Sequence, residues 1–400
     1  MNQHDVKQEI NVPSQIMETT PYVLSRKEKK WLDLKIAVHT LKLLLKRNKN
    51  PLKIIRELSY LLEVHQVLRD RISSHKTLRL AGRYHSNPYF ASWPSSTYDE
   101  LMNSILDRHS SKQRIKYLPT VILSITNDCP LDCKHCLEGN NLNSRKDLPL
   151  EELRKILKKL QDKRVAHIHF SGGEPLNRYE DILKLLEEAK NSSEFWIFTS
   201  GWGLKYDMAR RLKEMGLTGV FLSLDHFYEA EHDEFRGRPG SYEQVMNAAV
   251  NARKAGLLLC LSLCATREFT SEENLNDYIK LAKSLGAGFI QILEPQNTGR
   301  YAGEDIQLEP EQISLLERFY LSMNTEAQHS DMPVIIYAAY EQRKVGCLSG
   351  ELGYAYISAN GDVHPCPFCH SKCGNILVDE LEDILDNMDR LKCRNFNNRS

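Results

Sequence analysis

The stretch TVILSITNDCPLDCKHC, residues 120–136, sets a short apolar run directly before three closely spaced cysteines. Thr120–Ile125 has the length and β-branched content of a buried strand. Cys129, Cys133 and Cys136 follow at spacing C-x3-C-x2-C, in the loop that leaves its carboxyl end. Soft thiolates suit iron, and three of them can hold three corners of a cubane while the fourth iron stays without a protein ligand. An open metal position of that kind can take a cofactor or substrate directly. The spacing alone equally admits a zinc site completed by His135 or by a distant ligand.

Outward from this loop the chain alternates. Candidate strands at His167–Phe170, Phe195–Thr199, Gly219–Leu224, Leu257–Cys264 and Gly288–Leu293 are separated by helical patterns at Leu150–Leu160, Tyr179–Ala189, Leu204–Met215, Tyr242–Ala255 and Glu272–Leu285. Apolar strands alternating with helices predict a parallel sheet covered by helices. Six such units make an α/β fold, an open partial (β/α)6 barrel over residues 116–306. Chemistry in such folds collects at the carboxyl ends of the strands, where the cysteine loop lies. Cys260 and Cys264 fall inside an apolar run and read as buried hydrophobes.

The strand after the cysteine loop ends in SGGEP, residues 171–175. Alone, this is a plain strand-to-loop turn. One β/α unit after C-x3-C-x2-C, with His135 in the often-aromatic place before the last cysteine, it resembles the signature of the radical SAM superfamily. The resemblance implies a 4Fe–4S cluster on Cys129, Cys133 and Cys136, with S-adenosylmethionine chelated by the open iron. It also implies that Gly172, Gly173 and Glu174 meet the methionine ammonium, for which strand-end carbonyls and a carboxylate are complementary partners. Glycines there permit close backbone approach. Thr199 and Ser200 at the third strand end, and Ser223 and Asp225 at the fourth, resemble polar groups that bind the cofactor's ribose or carboxylate; strand-end capping is the plainer alternative. HDEFRGRPGSYEQV, residues 232–245, is similar to the loop and helix that follow in many members, which makes Arg236 a candidate anion contact. Glu294–Pro295 and Gly299–Arg300 continue the pattern weakly at the sixth strand.

Over residues 307–400 the alternation is expected to stop. A helix near Pro310–Ala327 leads to a Val334–Tyr340 strand, a cysteine-rich segment and a last helix near Val378–Leu391. GYAYISANGDVHPC alternates around Asn360–Gly361, a hairpin signal. Cys347, Cys366, Cys369, Cys373 and Cys393 therefore belong to a small cysteine-rich α+β domain. The spacing from Cys347 through Gly361 to Cys366, followed by Gly374–Asn375–Ile376, resembles the auxiliary-cluster extensions called SPASM and twitch. One auxiliary 4Fe–4S cluster is implied, with one of the five cysteines spare; structural zinc is the alternative.

Residues 1–25 read as a mobile leader, and 26–115 as an all-helical front region. It has helices at Arg26–Arg47 and from Pro51 to Ile72, an ordered loop over 81–97 and a shorter helix at Tyr98–Asp107. Basic residues between Arg26 and Lys53 are interleaved with Leu and Ile. That pattern fits a surface for membrane, leader peptide or protein, although a solvated face packed on its own domain is the preferred reading. With 53 basic and 53 acidic residues the chain offers no charge argument for nucleic acid. No stretch approaches the roughly 20 apolar residues of a membrane-spanning helix, and residues 1–25 lack the apolar core of a signal peptide. The ten cysteines then argue for metal sites rather than disulfides, in a cytoplasmic enzyme. The resemblance implies reductive cleavage of S-adenosylmethionine to a 5′-deoxyadenosyl radical, fed by an external donor such as a flavodoxin or ferredoxin. The radical takes hydrogen from a substrate, a peptide in preference to a small metabolite or cofactor precursor. A zinc-binding scaffold protein is the alternative of a different class.

Overall fold

The computed structural model describes residues 21–71, 76–110, 118–144, 147–349 and 353–391, with backbone alone for 64–71 and 140. Residues 1–20 of the expected leader and Cys393 lie outside the described residues.

The front region comprises β1 (Tyr22–Val23), α1 (Arg26–Arg47), α2 (Pro51–Arg71), β2 (Leu78–Leu80), β3 (Arg83–His85) and α3 (Ser96–Ser110). It is not all-helical: β1, β2 and β3 form an antiparallel three-stranded sheet. Part of the expected loop over 81–97 is β3, bridged from Tyr84 to Trp93. Strands of two or three residues are too short to impose a period of two on the sequence, so they escape pattern reading.

The core alternates as expected: β4 (Thr120–Ser124), α4 (Leu150–Asp162), β5 (His167–Ser171), α5 (Tyr179–Glu188), β6 (Glu194–Thr199), α6 (Tyr206–Glu214), β7 (Leu217–Ser223), α7 (Glu229–Arg236), α8 (Ser241–Lys254), β8 (Leu258–Cys264), α9 (Glu272–Ser284) and β9 (Phe289–Leu293). Strands β4 to β9 are parallel neighbours in sequence order. Their outward residues, among them Ile168, Phe170, Ile197, Leu222 and Leu261, are buried with Leu153, Ile156, Leu157 and Leu160 of α4. Burial of both sheet faces explains why these strands read as continuous apolar runs.

The carboxyl-terminal segment holds α10 (Pro310–Thr325), β10 (Val334–Ile336), α11 (Ala338–Val345), β11 (Tyr354–Ile357), β12 (Asp362–His364), β13 (Gly374–Asn375) and α12 (Leu381–Arg390). The alternation does not stop near Leu308. Strand β10 adds parallel to β9, and β11 adds parallel to β4, so this segment closes on both edges of the barrel sheet. The expected Val334–Tyr340 strand ends at Ile336 because Ala338–Val345 is helical. The hairpin at Asn360–Gly361 is present, with Tyr356 opposite His364 and Gly361 at φ +85°.

Inward residues Trp196, Phe221, Leu258, Cys260, Phe289, Val334 and Ile336 form a second core with Leu78 and Leu80 of β2. The front sheet thus floors the barrel. Tyr89 reaches the same interior, 5.0 Å from the His169 ring and hydrogen-bonded by Gln291 Nε2 at 2.9 Å. Among the described residues no helix is long and apolar enough to cross a membrane.

Candidate active site

The cysteine loop hangs from β4 and is gripped by the ends of other strands and helices. Asp132 N donates to Arg236 O and Lys134 N to Phe235 O, at 3.1 and 3.0 Å, which pairs the loop with the last turn of α7. The Asn143 side chain closes on the Cys129 peptide from both sides, accepting from its N–H at 2.9 Å and donating to its carbonyl at 3.1 Å. Arg238 donates to Pro130 O at 2.6 Å while its guanidinium lies 3.9 Å over the Trp202 ring. From β9's side, Arg300 N donates to Cys136 O and Arg300 Nη1 to Cys133 O. Gly299 makes that approach possible: at φ +60°, a side-chain carbon there would lie 2.2 Å from Cys136 O.

The SGGEP turn presses against the same loop. Gly173 N donates to Thr126 O at 2.8 Å and Glu174 N to Asp128 O at 2.7 Å. A carbon added at Gly173 would sit 2.4 Å from Asp128 O, so the two backbones meet only because this residue has no side chain. Gly173→Ala is expected to push the cysteine loop outward, costing about 1–3 kcal/mol as an overpacking change. A lowered melting temperature together with reduced iron after reconstitution is the result to look for. Unchanged values in both would show that the contact yields freely.

Glu174 itself does not face the chamber. Its carboxylate is fully buried and takes four donors: Thr199 Oγ1, Ser200 N, Ser200 Oγ and Leu176 N. Burial raises its pKa, and those hydrogen bonds pull the other way. Four donors to one carboxylate weld the end of β5 to the end of β6. Gly172, Gly173, Thr199, Ser200, Ser223, Asp225 and Arg236 all line the chamber wall.

Asp225 and Arg236 form a buried ion pair beside Cys133. Arg236 Nη2 contacts Asp225 Oδ2 without the alignment of a hydrogen bond, and Arg236 Nη1 donates to Cys133 Sγ at 3.6 Å. Burial works against the Asp225 carboxylate, yet the Arg236 charge, with His135 and His232 behind it, holds its pKa below the usual range. Asp225 Oδ1 also accepts from Cys264 N at 2.9 Å, which ties β7 to β8. Among the described residues, Arg236 Nε, His232 Nε2 and His135 Nδ1 are buried without a hydrogen-bond partner. His135 stacks on Phe235 at 4.6 Å, packed against α7.

Cys129, Cys133 and Cys136 line one chamber of about 970 Å³, at the upper end of ordinary small-molecule sites. Burial first, then Glu174, Cys133 and Cys136 around it, pushes the Cys129 thiol up to about 12. A bound cation such as iron would hold these sulfurs as thiolates. Three cysteines of one loop on one wall match the Cys-rich donor set that iron–sulfur clusters take. An iron–sulfur cluster fits this wall.

Cys347, Cys366 and Cys369 line the same chamber from the carboxyl-terminal segment. Burial, then Cys369 and Cys347 beside it, pushes Cys366 up to about 12, so these three sulfurs share one neighbourhood. Cys373 lies next to Cys369 but packs into the main apolar core. The donor set fits a second cluster in the same way. Cys260 and Cys264 are both buried, as expected, and Cys264 also lines the chamber.

Some site residues gave no signal in the sequence. Tyr356 Oη donates to Glu138 Oε1, joining β11 to the cysteine loop two residues past Cys136. At the end of β9, Glu294 Oε1 accepts from Tyr337 Oη and from Arg343 Nη1, the latter at 2.8 Å, forming a polar cluster on the chamber wall. Both depend on strands that are non-local partners, and only the Glu294–Pro295 pair was visible beforehand.

Comparison with known proteins agrees with this geometry. The family described as the radical SAM superfamily matches residues 123–282, and the family described as SPASM, an iron–sulfur cluster-binding domain, matches residues 347–400. An AdoMet-dependent heme synthase of Nitratidesulfovibrio vulgaris is 28% identical over 276 residues, covering 63% of this chain and 74% of the relative. A PqqA peptide cyclase of Streptomyces rochei is 28% identical over 262 residues, covering 63% and 70%. Among solved structures, Streptococcus suis SuiB bound to its precursor peptide SuiA superposes with a TM-score of 0.57 at 18% identity, covering 72% of this chain and 69% of that one. At that identity the likeness is one of fold.

Proposed function

Because the chain belongs to the radical SAM superfamily and carries a SPASM domain, we propose that it is a peptide-modifying enzyme whose substrate lodges between two iron–sulfur sites. The cofactors are a 4Fe–4S cluster, S-adenosylmethionine and auxiliary iron–sulfur. The observation that carries the reading is the shared chamber: Cys129, Cys133 and Cys136 on one wall, Cys347, Cys366 and Cys369 on another. The chemistry supplied there, when the cofactors are bound, is one-electron cleavage of S-adenosylmethionine and hydrogen abstraction by the resulting 5′-deoxyadenosyl radical.

The chain's own residues place and shield that chemistry. Cys129, Cys133 and Cys136 hold the first cluster, and the backbone grip of Asn143, Arg238 and Arg300 fixes their loop. Gly172 and Gly173, whose missing side chains let this turn close on Thr126 and Asp128, would hold the methionine end of the cofactor with their backbone. Glu174 acts behind them, locking the third strand end so that Thr199 and Ser200 keep their places. Ser223, opposite Ser262 across β7 and β8, would supply a hydroxyl for the cofactor's ribose or carboxylate. Cys347, Cys366, Cys369 and Cys373, with Cys393 as the further candidate, hold the auxiliary cluster. β2 and Tyr89 close one end of the barrel, and β10 and β11 extend its sheet at both edges, which limits solvent access to the chamber. The electron comes from an external donor of the flavodoxin or ferredoxin kind.

A peptide substrate is supported by the peptide cyclase relative and by the fold shared with a precursor-bound enzyme. The heme synthase relative favours a second reading, a small-molecule substrate such as an iron porphyrin. The two separate in one assay. Anaerobically reconstituted chain, dithionite and S-adenosylmethionine are incubated either with peptides encoded beside its gene or with iron coproporphyrin. We expect a cofactor-dependent mass change in a peptide and none in the porphyrin. Turnover of the porphyrin alone would overturn the peptide reading. Cys366→Ala is expected to keep forming 5′-deoxyadenosine while losing peptide product and part of the iron; full iron retention would refute an auxiliary cluster at Cys366.

A further inference from the structure

Helix α1 is apolar on two opposite faces. One face packs inward, with Leu32 and Leu44 buried and Ile36 and Leu43 against α2 and α3. The other carries Trp31, Leu34, Val38, Leu41 and Leu45, each between 41% and 59% exposed. A surface helix normally turns charges outward, and a helix apolar all round is normally covered on all sides. None of these five residues lines the chamber, so catalysis does not account for them.

Their spacing is informative. Steps of three, four, three and four residues put them at successive a and d positions of a heptad, the narrow seam of a helix that pairs with another helix. A membrane-surface helix needs a broader apolar face than such a strip. The residues flanking the seam are basic. Lys35 and Lys42 occupy the position after d, and Lys30 precedes the first a. All three are exposed, and among the described residues none has an acidic partner; Lys35 lies 5.6 Å over the Trp31 ring. The nearby acids are already engaged, Asp33 by Lys29 at 3.3 Å and Glu28 by the Ser25 cap. Helix α2 adds exposed Leu52, Ile55 and Leu62 to the same subdomain.

From this geometry we infer that α1 is a docking seam for an acidic amphipathic helix of another polypeptide, with apolar residues at a and d and carboxylates beside them. Flanking charges set partner choice in paired helices. A second copy of this chain is a poor occupant, because in either orientation Lys30, Lys35 and Lys42 would face lysines of the other copy. An acidic helix meets the seam with its apolar row and the lysines with its carboxylates, so attraction weakens as salt screens it.

The test uses the full chain and a fluorescein-labelled synthetic peptide of three heptads, Leu at a and d and Glu at e and g, followed by anisotropy. A counterpart with Lys in place of Glu is the control. We expect the acidic peptide to bind with a Kd on the order of 10 µM and the basic one at least about tenfold more weakly. Leu34→Asp with Leu41→Asp should abolish binding, and Lys35→Glu with Lys42→Glu should reverse the preference. Both pairs are on the exposed face, and unchanged circular dichroism and iron content would confirm that they fold. Equal binding of the two peptides would overturn the inference. So would a dimer in sedimentation that the Leu34→Asp, Leu41→Asp variant dissociates, which assigns the face to a second copy. Flotation with equimolar phosphatidylglycerol–phosphatidylcholine vesicles, lost in that variant, would also overturn it and assign the face to a lipid surface.

Discussion

Chain in which Cys129, Cys133 and Cys136 are all replaced by alanine is expected to form no 5′-deoxyadenosine above background, while keeping its fold. Reconstituted under anaerobic conditions, it should hold about four fewer iron atoms than wild type. The fold survives because the loop is held by groups other than the thiols: Asp132 N and Lys134 N on α7, Asn143 on the Cys129 peptide, Arg300 on the carbonyls of Cys133 and Cys136. Of the three cysteines only Cys133 is buried as a core residue, so truncation leaves a small cavity rather than a collapsed layer. The matching replacement of Cys347, Cys366 and Cys369 should remove the other share of iron and spare 5′-deoxyadenosine formation. Iron assay, absorbance near the cluster bands and product chromatography read both variants. If the first variant still cleaves S-adenosylmethionine, the assignment of the open cluster to this loop is wrong.

Much of this site was legible because its chemistry is local. Cys129 to Cys136 span one loop, and Gly172 to Glu174 one turn, so spacing preserved both. The parallel strands β4 to β9 were visible because burial on two faces makes each a continuous apolar run. What the sequence hid is of two kinds. Short strands such as β1, β2 and β3 carry too few residues to show a period. The partners that fix the site are also distant along the chain: Arg300 reaches back to Cys133, Tyr356 to Glu138 and Asp225 to Cys264. Glu174 illustrates the difference. Its place in the motif was readable, whereas its role as a tie to Thr199 and Ser200 required knowing that β6 lies beside β5.

Asp225→Ala is expected to destabilise the chain by about 3–5 kcal/mol, because it strands the Arg236 charge in the interior. Arg236 is 7% exposed and its Nε lacks a partner among the described residues, so solvent replaces the lost carboxylate poorly. The same substitution deletes the acceptor for Cys264 N, which opens the junction of β7 and β8. Arg236→Met should cost comparably, since it leaves the Asp225 carboxylate buried beside His135 and His232, whose pKa values burial depresses to about 4 and which therefore stay neutral near neutral pH. Combining Asp225→Asn with Arg236→Met removes both charges at once, and the pair should be less destabilised than the sum of its singles by about 1–3 kcal/mol. Urea unfolding followed by circular dichroism measures each value. A second readout separates stability from tuning. Arg236 Nη1 donates to Cys133 Sγ, and a cationic donor to a cluster sulfur favours the reduced, more negative state. Arg236→Met should therefore move the cluster's midpoint potential to more negative values in an electron paramagnetic resonance titration, even at temperatures where the variant is fully folded. Additive stabilities with an unshifted potential would mean that the pair acts as two separate packing residues and that Cys133 takes nothing from it.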